Sequence, residues 1–180
     1  MSIYKAKYLP GYEWLYFEDE DEIERLRFDG SSRVQAWEPL EMKRLHYDED
    51  GAPLRVADFP CVSGGDMLAM SDKACAAIRG ILQESGEILP LIVEGDTYWI
   101  YNVTRVIDVI DKIRTDGLRD RHTGELFCIN KPVFKDLESL KRECAFKLSQ
   151  APGGTIYFGE AIVNAVRASC LKGVEFEMVA

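Results

Sequence analysis

The sequence predicts an α+β fold: a mixed, largely antiparallel sheet or sheets with about three main helices, in a single domain over residues 1–180. Three observations point there. The 180 residues are 47% hydrophobic and 29% charged, which are ordinary globular proportions and enough chain to bury a core without staples. Residues 86–111 hold the densest apolar material and read as strand, Gly95-Asp96 turn, strand and helix. No repeat, long linker or low-complexity segment divides the chain. Residues 1–54 are either integral to the domain or a strand-rich addition to a 55–180 core.

The elements follow in order. Residues 2–9 and 12–17 are broken by Pro10-Gly11 and carry Tyr4, Tyr8, Tyr12, Trp14, Tyr16 and Phe17. They predict a hairpin or two successive strands. Glu18-Asp19-Glu20-Asp21-Glu22, with Glu24 just after, is too charged to bury. It is a solvated loop or exposed helix start, or a surface for a basic partner. Gly30-Ser31-Ser32 marks a turn. Trp37, Leu40, Met42, Leu45 and Tyr47 are spaced roughly as in a strand, interrupted by Pro39. Asp48-Glu49-Asp50-Gly51 is a turn and a second acidic patch. Residues 53–59 end at Pro60, and a Gly64-Gly65 loop leads to a short strand at 67–70.

Ser71 is an N-cap, with Asp72 suited to the positive end of a helix. Ala74, Cys75, Ile78, Ile81 and Leu82 recur at helical spacing. Gly80 weakens this helix unless it permits close packing, and Gly86 is placed to end it with positive φ. The hairpin of 88–93 with 98–101 is nearly continuous in apolar residues, so both its faces should be covered. Asn102 or Thr104 then caps a helix carrying Val106, Val109, Ile110 and Ile113. Residues 115–124 are a polar connection, 126–129 a strand, and 132–148 strands at both ends of an irregular piece. A strand at 155–158 precedes a helix from Gly159-Glu160, with Ile162, Val163, Val166 and Cys170 inward, ended by Gly173. Residues 174–179 alternate as a last strand.

Charge and chemistry exclude several functions. With 31 acids against 22 bases the net charge is −9. A nucleic-acid binder needs a basic face, and an anionic membrane would repel this chain. No apolar run is long enough to span a bilayer, and the N-terminus lacks a signal pattern. Cys61, Cys75, Cys128, Cys144 and Cys170 are odd in number, scattered and without a CxxC. They read mostly as small core residues in a reducing compartment, so a cytoplasmic location is expected. His46 and His122 have acids nearby but no metal-binding or catalytic spacing, and read as exposed loop histidines. Cys128 lies near His122 in sequence but inside an apolar strand, which does not suit a nucleophile. Ser63-Gly64-Gly65-Asp66 and Pro152-Gly153-Gly154 are turns that fit no phosphate-binding motif. The expectation is no enzyme, no cofactor and no metal.

Several short motifs occur in a telling order. They are Asp58-Phe59-Pro60, the Ser71-capped helix, Gly86-Glu87-Ile88-Leu89-Pro90-Leu91, and Tyr98 through Asn102 to Asp108 and Asp111. Ala145-Phe146-Lys147-Leu148, Thr155-Ile156-Tyr157-Phe158 with its helix, and Leu171-Lys172-Gly173-Val174-Glu175-Phe176 complete the series. Over about residues 55–180 this order resembles a bacterial family first described as a domain of unknown function. That family was later grouped with the immunity proteins of polymorphic toxin and type VI secretion systems. The resemblance implies a protein that binds and neutralises a cognate secreted toxin, and it brings no catalytic residues.

The expected interface joins Trp14, Tyr16 and Trp37 to Glu18, Asp19, Glu20, Asp21, Glu22, Glu24, Asp48, Glu49 and Asp50. Aromatic anchors would supply contact energy and the acids would steer a basic partner. Tyr4, Tyr8 and Tyr47 belong either to that surface or to the core. The alternative is a small-molecule-binding or enzymatic domain with a pocket between the central hairpin and the last helix.

Overall fold

The computed structural model describes residues 2–62 and 66–180, and only the backbone of Glu20. The expected Gly64-Gly65 loop lies outside the described residues. At the centre is the hairpin of β6 (Gly86–Val93) and β7 (Asp96–Val103), paired antiparallel from Gly86↔Val103 to Val93↔Asp96. Glu94 and Gly95 take φ of 52° and 91°, as a two-residue I′ turn requires. Leu89, Leu91, Val93, Tyr98 and Ile100 are buried in one apolar cluster, and Tyr101 and Val103 in another. Both faces of the hairpin are therefore covered, which its near-continuous apolar runs demand.

Around the hairpin a six-stranded sheet forms in the order β4-β2-β3-β6-β7-β5. Its other strands are β2 (Trp14–Tyr16), β3 (Leu40–Leu45), β4 (Cys61–Val62) and β5 (Leu68–Ser71). β3 lies parallel to β6, and β2 antiparallel to β3. One face packs against Leu26 and Phe28, with Ile23 and Trp37 at the margin. The other packs against α1 (Asp72–Leu82) and α2 (Glu160–Ala168).

A second sheet runs β13-β1-β12-β11-β8, built from β1 (Tyr4–Tyr8), β8 (Val106–Ile107), β11 (Ala145–Leu148), β12 (Tyr157–Phe158) and β13 (Val174–Met178). Phe158 and Val174 join the cluster beneath the helices. Phe146, Leu148 and Tyr157 form a third cluster with Ile3, Ile110, Leu126 and Leu140. There Phe146 stacks on Tyr157 at 5.6 Å, with Phe134 edge-on to both. A separate ribbon pairs β9 (Asp116–Arg119) with β10 (Leu126–Lys131).

Polar side chains of the hairpin tie down what covers it. Trp99 Nε1 donates to Asp72 Oδ1 at 2.6 Å, and the Tyr101 hydroxyl donates to the Leu82 carbonyl at 2.8 Å. Both ends of α1 are thus fixed, in addition to the N-cap bond from the Ala74 N–H to Ser71 Oγ. On the opposite face Glu87 and Asn102 are cross-strand partners. Asn102 Nδ2 donates to Glu87 and to the Ser31 carbonyl, while Glu87 also accepts from the Arg33 N–H and the Ser32 hydroxyl. Burial pushes the Glu87 carboxyl up, but these hydrogen bonds outweigh it and hold it below the usual range.

The α+β class stands, but several elements differ from expectation. Residues 104–113 are not a helix. The Thr104 and Arg105 N–H groups both donate to the Ser85 carbonyl, and Val106–Ile107 pair in parallel with β11. β-branched residues suit that edge, and Ile113, expected inward, is 92% exposed. The third helix is instead a 3₁₀ helix over Glu20–Leu26, within the acidic stretch. β1 and β2 are successive strands but belong to different sheets, because each finds its partners far along the chain. α2 stops at Ala168, so Cys170 lies beyond it and is exposed, as is Cys128.

The two glycines near α1 also depart from expectation. Gly86 opens β6, where a Cβ would sit 2.3 Å from the Asn102 carbonyl oxygen and 2.9 Å from the Tyr101 ring; Gly80 has nothing within 4 Å. Gly86→Ala is therefore expected to destabilise by at least about 2 kcal/mol through overpacking. Gly80→Ala should stabilise by about 0.5–1 kcal/mol through helix propensity. Urea unfolding of the two variants checks the opposite signs.

Candidate functional site

β2 buries Leu15 and turns Trp14 and Tyr16 to the other side. Across the ladder Trp14 faces Leu45, and Tyr16 faces Lys43. Trp14 is 46% exposed, Tyr16 39%, Leu45 45% and the following Tyr47 60%. Tyr12, two residues before Trp14, carries the Arg55 guanidinium over its ring at 4.0 Å. An apolar, aromatic strip thus lies open on β2 and β3, away from the cluster that Leu15, Leu40 and Met42 enter. Exposed patches of this kind on otherwise polar surfaces mark contact sites.

The strip has acidic flanks. β2 and β3 are antiparallel, so Glu18 follows Tyr16 past one end of the pair and Asp48 follows Leu45 past the other. At the Glu18 end, Asp19 caps the 3₁₀ helix by accepting from the Asp21 N–H. Glu22 pairs with Arg25, Glu24 with Arg27, and Glu18 stands 3.9 Å from Lys43. Among the described residues, Asp19 and Asp21 have no cationic partner. At the other end Asp48 accepts from the Asp50 and Ala52 N–H groups and shapes the turn, leaving Glu49 and Asp50 exposed.

The parallel β3–β6 pairing brings the hairpin turn to this second end. There Arg44 is held by Asp96 at 2.8 Å, Glu94 at 3.4 Å and the buried Glu13 at 3.8 Å. The Arg44 N–H, the neighbouring His46 and the guanidinium keep the Glu94 carboxyl below its usual range. Three carboxylates share one arginine, so this end carries surplus negative charge. Leu45 was not expected at the surface site, since only cross-strand register brings it to Trp14; Glu94 and Asp96 gather instead at Arg44, near the end of β3.

Trp37 does not belong to this surface. Its Nε1 donates to the Pro90 carbonyl at 2.8 Å and its ring packs on Phe28, so it helps close the face opposite the strip. Tyr4 packs on the helical cluster under Arg167, and Tyr8 donates its hydroxyl to the Met67 carbonyl. Of the six candidate aromatics, Trp14, Tyr16 and Tyr47 are exposed.

The space between the hairpin and α2 is filled by Tyr101, Val103, Ile162, Val163 and Val166, so the pocket expected there is replaced by core. A cavity of about 630 Å³ lies elsewhere, lined by Leu26, Phe28, Met67, Tyr101, Lys147 and Ile156 among others. Lys147 is only 3% exposed, and its Nζ donates to the Phe28 carbonyl at 2.5 Å. Burial pushes its ammonium down to about 8 from the ordinary 10.5, against the pull of Asp29 and Asp66.

Among the described residues, no three His, Cys, Asp or Glu side chains gather as a metal site, and no helix is long and apolar enough to cross a membrane. His46 Nε2 is 3.4 Å from Glu94, and the His122 N–H donates to Asp120 in a turn. Compared with known proteins, the chain matches no family model and no curated sequence.

Lys147 sets a sign for stability against pH. Its folded-state value lies below the unfolded one, so the unfolded chain holds more protons between pH 8 and 10.5 and stability rises with pH there. At about 1.4 kcal/mol per unit the gain from this group approaches roughly 3 kcal/mol. Lys147→Met is expected to be about 1–3 kcal/mol more stable than wild type at pH 7, with the gap closing toward pH 10. Denaturant unfolding of both proteins across that range measures it.

Proposed function

We propose that this chain is an immunity protein that neutralises a cognate secreted bacterial toxin by direct contact, as in polymorphic toxin or type VI secretion systems. The open aromatic strip of Trp14, Tyr16, Leu45 and Tyr47 carries this reading. It combines anchors suited to an interface core with acidic flanks suited to its rim. The order of motifs over residues 55–180 supports it from the sequence side.

In this reading the protein acts in the cytoplasm of the producing cell and without catalysis. It occludes the toxin's active site or locks its conformation. Glu18, Asp19, Glu49, Asp50 and Asp96 favour a partner with a basic surface and speed its approach. Trp14 and Tyr16 then slow its departure.

Co-expression with the product of the adjacent reading frame tests the function. Cells should survive with wild-type protein, and death despite soluble expression would reject the proposal. Trp14→Ala should weaken the complex by about 2 kcal/mol or more, mostly through faster dissociation. Charge reversal at Asp19 and Asp21 should slow association and reduce its salt dependence. Surface plasmon resonance separates the two rates; unchanged rates in both variants would remove this strip as the interface.

A further inference from the structure

The cavity holding Lys147 is separate from the β2–β3 strip. We propose that it is a binding site for a small carboxylate with an apolar tail, the carboxylate pairing with the Lys147 ammonium. The argument starts from hydrogen-bond capacity. An ammonium has three donors, and among the described residues it has one acceptor, the Phe28 carbonyl.

Among the described residues no carboxylate lies within 4 Å of Lys147 Nζ, and the nearby acids are engaged elsewhere. Asp29 accepts from the Ser31 N–H and hydroxyl, and Asp66 accepts from the Thr155 hydroxyl at 2.7 Å. Arg27, on the same cavity, pairs with Glu24 at 2.7 Å. Lys147 is thus a buried cation facing an open volume with unfilled hydrogen-bond capacity, and such a group is costly unless a partner arrives.

The rest of the lining sets the ligand's other end. Ile23, Leu26, Phe28, Met67, Tyr101 and Ile156 present apolar surface around Lys147, while Arg27, also on the cavity, is paired with Glu24. The volume is that of a small-molecule site. A cation is disfavoured by Lys147. A dianion such as phosphate would find one free ammonium while Asp29 and Asp66 face the same space. A monocarboxylate matches the single charge, and its tail matches the walls.

The experiment uses the full chain and sodium octanoate as probe, with octanol as its uncharged counterpart. Binding is followed by calorimetry and by ¹H–¹⁵N and methyl NMR. Octanoate should shift resonances of Ile156, Tyr101 and Lys147, and should bind about tenfold or more tighter than octanol. Lys147→Met should erase that preference while still taking up octanol. The proposal is overturned if octanoate shows no binding with Kd below about 1 mM. Equal affinity for octanoate and octanol on wild type overturns it without reliance on any variant. Resonance shifts confined to residues outside the cavity do the same.

Discussion

The structure depends on burying both faces of one hairpin. β6 and β7 place Leu89, Leu91, Val93, Tyr98 and Ile100 in one cluster and Tyr101 and Val103 in another. Neither face can be left wet, since each large apolar side chain contributes about 1.5–3 kcal/mol only when covered. Two coverings are therefore required. α1 and α2 provide one, and the 3₁₀ helix with Phe28 and Trp37 provides the other. The hairpin's few polar side chains are spent on securing them: Trp99 and Tyr101 hold α1, and Glu87 with Asn102 holds residues 31–33.

This arrangement also decides where the surface stays open. The helices cover the β5 and β7 side of the sheet, while β2 and β3 extend it away from them. Trp14, Tyr16 and Leu45 stand on that extension, facing away from the cluster that Leu15 enters. Core formation thus consumes Tyr4, Tyr8 and Trp37 and leaves a smaller aromatic set free. Charge follows the same geometry. Parallel pairing of β3 with β6 gathers Glu94 and Asp96 around Arg44, close in the chain fold to the turn begun by Asp48. The acids at 18–24 are partly neutralised by Arg25 and Arg27, and exposed pairs of this kind contribute little to stability. Their remaining value is long-range attraction.

Much of the fold was legible in local chemistry. Ser71 and the 3.6-residue spacing behind it specify α1, and the apolar runs around Gly95 specify the hairpin. What was illegible depended on distant partners. Val106 to Ile113 satisfies a helical period, yet pairing with β11 and the bridge of Ile110 to Phe134 keep it extended. Gly86 has the position of a helix terminator, but its absent side chain serves the close approach of Asn102. At the candidate surface, Trp14, Tyr16 and the acids could be named from the sequence, whereas Leu45 beside Trp14, and Glu94 and Asp96 around Arg44, required strand register. Trp37 looked the same as Trp14 until Pro90 and Phe28 were placed beside it. Lys147 sat within an apolar strand motif, and nothing local marked its ammonium as buried beside a cavity.

Native-state hydrogen exchange tests the central claim, that the two-faced hairpin is the last element to open and the β2–β3 extension is not needed to hold it. Amides of Leu89, Leu91, Tyr98 and Ile100 should exchange only through global unfolding, with opening free energies equal to that from denaturant. Those of β2 should open at clearly lower free energy. Exchange of the hairpin amides through a sub-global opening, with β2 protected as long or longer, would contradict the account.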